Sequence, residues 1–156
     1  MKISSLISII IFALLVSCKK DASRVSTATI ELQKAIVTSD TWRVTSFVDK
    51  GNDQTSDFST YLFQFNSEGS AVATSAGIGI LYFGSWNLRP GVHNRFDASG
   101  KTTNTNTNRL IITLTGHYHM DEISNDWAIE RLTDRDMWLM VDNMVSVKEI
   151  HFTKNL

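Results

Sequence analysis

From Trp42 to the C-terminus the hydrophobic positions tend to fall on every second residue, the period of a half-buried β-strand. "TYLFQF" sets Tyr61, Phe63 and Phe65 on one face, with Leu62 and Gln64 on the other. "ILYFGSWNLR" aligns Ile80, Tyr82, Gly84, Trp86 and Leu88, and "RLIITLTG" aligns Leu110, Ile112 and Leu114. "WRVTSFVD", "SAVATS", "WAIERL", "DMWLMV" and "VSVKEIHF" complete a set of about eight strands. "NSEG" at 66–69 reads as a four-residue hairpin turn, and TDRD and the stretch around Asn143 as further turns. Strands linked in this way form an antiparallel meander, and so long a meander leaves two edges open unless it closes. The pattern therefore predicts an all-β fold, an eight-stranded antiparallel up-and-down barrel.

Two segments depart from the period of two. Thr27 to Ser39 carries Ile30, Leu32, Ala35, Ile36 and Val37 among polar residues, which predicts a short N-terminal helix. Pro90 to Asn108 has no sustained apolar face and ends in "TTNTNTN". Its composition predicts a mobile loop or a frayed hairpin at one mouth of the barrel.

The N-terminus reads differently again. Lys2 precedes an apolar run, Ile3 to Val16, broken only by serines. A membrane span needs ~20 apolar residues, so the run has the dimensions of a secretory signal core. Leu15-Val16-Ser17-Cys18 resembles the lipobox of bacterial lipoproteins. The resemblance implies a diacylglycerol on the Cys18 sulfur, cleavage just before it and acylation of the new amino group. Several acyl chains together hold a protein firmly to a bilayer. The alternatives are a free cysteine in a secreted protein or a short membrane anchor; a cysteine standing where cleavage belongs favours the lipoprotein. The organisation expected is a signal peptide over 1–17, a tether over 18–26 and a barrel domain over 27–156. Lys19, not aspartate, follows the cysteine, which in lipoproteins implies the outer membrane and leaves the leaflet open. With no second cysteine there is no intrachain disulfide, so stability rests on the core.

Removing the first 17 of 156 residues takes away one basic side chain, Lys2, and no acidic one; 14 basic against 16 acidic residues leave a formal charge of −2. The charges are scattered, which argues against nucleic acid or an acidic polymer as partner. What remains is long enough for one domain with its own core.

The short helix, Trp42 opening the first strand, "DEISNDWAIERLTDRDMWLMV" and the closing "VKEIHFTK" together resemble the lipocalin-like domains of small bacterial lipoproteins, over about residues 35 to 154. Where lipocalins carry glycine two residues before the tryptophan, this chain has Asp40. The resemblance implies an eight-stranded barrel and a small apolar ligand. It also implies that Trp42 packs across the closed end under a basic side chain, with Lys154 and Arg131 as candidates.

A barrel of eight strands is filled by its side chains or holds one small ligand. The residues expected to face a ligand are Tyr61, Phe63, Tyr82, Gly84, Trp86 and Ile112. Gly84 is the inward position expected to leave space between Tyr82 and Trp86. The other reading is that these residues are simply core.

His117 and His119, two apart on an expected strand, would share a face, and Asp121 or Glu122 would add a carboxylate. A catalytic zinc takes three protein ligands, and no third is identifiable, so two exposed histidines at a strand end are expected, with no metal and no cofactor. His151 is expected to face outward. Gly77-Ile78-Gly79 lacks the third glycine and following helix of a phosphate loop and reads as a bulge or tight turn. No nucleophile motif accompanies the serines, and the chain is not expected to be an enzyme. Three functions stand open: an anchored carrier of an apolar ligand, an anchored interaction module with a filled core, and, last, a metal-dependent enzyme.

Overall fold

The computed structural model describes residues 22–96, 99–143 and 146–155. The signal peptide and the Cys18 lipidation site lie outside them. The chain opens with helix α1 (Ala22–Val37) and continues with β1 (Thr41–Asp49), a short β2 (Asn52–Asp53), α2 (Thr55–Phe58), β3 (Tyr61–Phe65), β4 (Ser70–Ser75) and β5 (Leu81–Phe96). Then follow β6 (Thr102–Leu114), α3 (Tyr118–Ile123), β7 (Asn125–Leu132), β8 (Asp136–Asn143) and β9 (Ser146–Lys154). Apart from β2, neighbouring strands pair antiparallel in chain order, and β1 pairs with β9 from Trp42–Lys154 to Asp49–Lys148. That last pairing closes an eight-stranded up-and-down barrel, as the alternation predicts; β2 only folds back on the end of β1.

Helix α1 begins at Ala22, ahead of the expected Thr27, so part of the stretch read as a tether is helical. It stops where hydroxyls take its last carbonyls: Thr38 Oγ1 donates to the Lys34 oxygen at 2.9 Å and Ser39 Oγ to that of Ile36 at 2.7 Å. Val37 is fully buried against the barrel end, and its carbonyl accepts the Trp42 indole N–H at 2.9 Å. Lys154 Nζ lies 5.6 Å from the Trp42 ring centre, so of the two candidate cations Lys154 is the one above it. Arg131 sits instead over Trp138, at 4.8 Å.

A strict alternation through "TWRVTSFVD" would turn Ser46 inward and Phe47 out. A bulge between Val44 and Ser46 resets the register, so that Trp42, Val44 and Phe47 all reach the core.

Of the two readings of 90–108 the hairpin holds, paired where fraying was expected, and the mobile loop is overturned. β5 and β6 stay paired from Gly84–Leu114 out to Phe96–Thr102, through the segment read as a loop. Its threonines are β-branched and favour extended backbone, a preference that its polarity obscured. Pro90 is tolerated because β5 has lost β4 beyond Ser85 and is there an edge strand. The extension is also latched to the barrel wall, as described next.

Candidate functional site

The barrel interior is occupied along its length. Trp42, Phe47, Phe63, Phe65, Trp127 and Phe152 are all fully or almost fully buried. Phe63 meets Phe152 edge-on at 5.5 Å, and Phe65 meets Trp86 at 5.8 Å. The six residues expected to face a ligand do not surround one hollow. Tyr61 and Tyr82 stand at the mouth with rings 6.0 Å apart. Phe63 and Ile112 are buried deeper. Trp86 lies toward the far end, its indole N–H donating to the Asn66 carbonyl at 2.8 Å in the β3–β4 turn.

Gly84 corrects the expectation placed on it. A Cβ there would lie 1.8 Å from the Thr113 carbonyl oxygen and 2.9 Å from the Leu114 Cα. It marks a close approach of β5 to β6 backbone, not a space kept free inside the barrel.

The mouth is covered by the two short helices. Phe58 on α2 is buried 4.7 Å from Phe47, and His119 on α3 packs against Phe58 at 5.3 Å and Tyr61 at 6.3 Å. His117 and His119 thus do not share a strand face. His117 caps α3, its Nδ1 accepting from the His119 backbone N–H at 3.3 Å, and His119 is buried instead of exposed. The nearest acid, Glu122, stands 3.9 Å from His119 Nδ1. Among the described residues no group of three His, Cys, Asp or Glu side chains is placed to hold a metal. Burial first, then the neighbouring phenols of Tyr82 and Tyr118, hold the Tyr61 phenol above its ordinary value. Asp49 and Lys148 pair at 3.2 Å near the same end, with Lys148 Nζ 5.8 Å from the Phe47 ring.

Compared with known proteins, the chain matches no family model, and no curated protein matches it.

Two polar clusters on the outer wall escaped the sequence reading. Asp126 on β7 binds Arg109 Nε at 2.7 Å and Arg89 at 2.5 Å. Burial pushes the Asp126 carboxyl up, but the hydrogen bonds and charges of the two arginines outweigh it and leave it below the usual carboxylate range. Gly91 makes room for this, since a Cβ there would meet the Arg109 side chain at 2.4 Å. Farther along, Glu130 takes His93 Nδ1 at 2.7 Å and also pairs with Arg95, while Thr107 Oγ1 donates to the Ile129 carbonyl at 2.8 Å. These contacts fold the end of the β5–β6 hairpin onto β7. A cleft of about 410 Å³ lies between them, walled by His93, Arg95, Thr105, Asn106, Thr107, Ile129 and Glu130. A second, of about 360 Å³, is lined by Arg95, Glu130, Trp138, Leu139, Met140, Glu149 and His151. There His151 faces outward and stacks on Trp138 at 4.6 Å. The partners in these clusters are separated by 17 to 37 residues, so no local motif announces them.

Proposed function

We propose that this is a lipid-anchored cell-envelope protein, held in the outer membrane by acyl chains on Cys18. In this reading its barrel is a non-catalytic interaction module that works through its outer surface. The observation that carries it is the filled interior, where aromatic side chains of β1, β3, β7 and β9 are buried and Phe63 packs edge-on against Phe152. A barrel so filled offers partners its walls and rims, and this one exposes Ile78, Leu81 and Phe83 there. The lipobox-like stretch before Cys18 supports the anchor, and a closed barrel is compatible with the lipocalin-like resemblance. The histidines support a non-catalytic role: one caps a helix and the other packs among rings.

A second reading, a carrier of a small apolar ligand, is favoured by one observation: Tyr61 and Tyr82 line the mouth, and Tyr82 is only half-buried. Native mass spectrometry and lipid extraction of the full chain, purified from its own host, separate the two. The interaction module gives the protein mass and its covalent acyl chains alone. A stoichiometric, extractable apolar molecule would replace it with the carrier. For the anchor, Cys18→Ser should abolish incorporation of labelled fatty acid and release the protein from membranes; continued labelling would place the lipid elsewhere or remove it.

A further inference from the structure

Between Glu68 and Arg89 the chain carries no charged side chain. That stretch forms β4, the connecting tip and the first part of β5, where the register sets Val72 opposite Phe83 and Thr74 opposite Leu81. The face it builds is unusually apolar: Ile78 is 69% exposed, Phe83 60%, Leu81 48% and Ile80 46%. Gly77 and Gly79, both at positive φ, turn the tip so that two isoleucines stand in solvent. Tyr118, 64% exposed, extends the face across β6, since Thr115 bonds the Phe83 carbonyl and the His117 ring stands 4.5 Å from that of Tyr118. Nothing in the core requires these side chains to be apolar.

We infer that this face is an interface between two copies of the chain. Its area is of the right size. A standard interface covers about 800 Å² per partner, roughly 500 Å² of it apolar, and five large side chains exposed by half to two-thirds present about 500 Å². Its chemistry is also self-complementary. Across a two-fold axis the patch meets its own copy, residue i touching j and j touching i. A patch without charge of its own avoids like-charge repulsion, and a hydroxyl both donates and accepts; the hydroxyls on and around this face include those of Thr74, Ser85, Thr113, Thr115 and Tyr118. A bilayer is the poorer occupant, because the stretch offers no lysine or arginine to anionic head groups. The inference does not depend on Cys18 and goes beyond the envelope reading.

The test uses the full chain in its host. A photo-crosslinking amino acid replaces Phe83, or Thr45 on the exposed face of β1 as control. Irradiation is expected to give a product of twice the chain mass from position 83 and not from 45, and the detergent-solubilised protein to sediment as a dimer. Ile78→Glu with Phe83→Glu should weaken that dimer by at least about tenfold while the circular dichroism spectrum stays that of the folded barrel, since both side chains are exposed. If the double variant unfolds, Ile78→Glu alone carries the test, the tip glycines on either side having nothing within 4 Å of an added Cβ. A monomer crosslinked from position 83 only to other proteins or to lipid would overturn the inference.

Discussion

Trp42 is fixed from three directions: a buried ring, an N–H on the Val37 carbonyl and the Lys154 ammonium above it. Removing the ring with Trp42→Ala should cost about 3–5 kcal/mol and lower the melting temperature by about 10 °C or more. Trp42→Phe keeps most of the packing, loses the hydrogen bond and should cost about 1–2 kcal/mol. An unchanged melting temperature for the alanine variant would take Trp42 out of the core. Two glycines give a sharper contrast. Gly84→Ala drives a Cβ into the backbone of β6, so a loss of at least about 3 kcal/mol is expected. Gly79→Ala meets open space and pays only for its positive φ, about 1 kcal/mol. Equal denaturation midpoints for the two variants would contradict the close approach at Gly84. The inward role of Tyr61, Phe63 and Trp86 was legible from alternation alone. The meaning of Gly84 was not, because a missing side chain reads the same whether it leaves a hollow or admits a neighbouring backbone.

Among elements, the β5–β6 hairpin is where sequence and structure part. Its inner half was legible, since Trp86, Leu88, Leu110 and Ile112 alternate. Its outer half was not, because Glu130 on β7 holds it, and a polar strand latched by a distant carboxylate has the composition of a loop. Glu130→Gln, which removes that charge from His93 and Arg95, should speed amide exchange at residues 92–95 and 103–106 about tenfold. Exchange at Trp86 and Ile112 should not change; uniform acceleration would mean that Glu130 stabilises the whole barrel. The neighbouring Arg89–Asp126–Arg109 cluster makes stability depend on pH. Asp126 is held below its ordinary 3.8, so its contribution is complete above that value and is lost as pH falls through the lower folded one. Asp126→Asn should therefore destabilise by no more than about 1 kcal/mol near neutrality, the carboxylate being partly solvent-screened. The gap to the parent should shrink as the pH is lowered below 3.8; a gap that widened there would reverse the sign of the linkage.

At the scale of the molecule, the described residues share one core and close their sheet through β1 and β9. That closure was legible from strand number, while the helices over the mouth were not: "HYHMDEI" alternates well enough to pass for a strand end. Truncation before Ser146 removes β9 and uncovers the edges of β1 and β8. Such a chain should lose its cooperative melt and near-ultraviolet circular dichroism; a truncated chain that still melts cooperatively would make the closure dispensable. The same pairing has a consequence in time. Trp42 meets Lys154, more than a hundred residues later, and a contact of that span is slow to form. Until the last nine-residue strand has been made, β1 lacks its partner and the sheet cannot close, so the end of synthesis sets the earliest moment at which this barrel can exist.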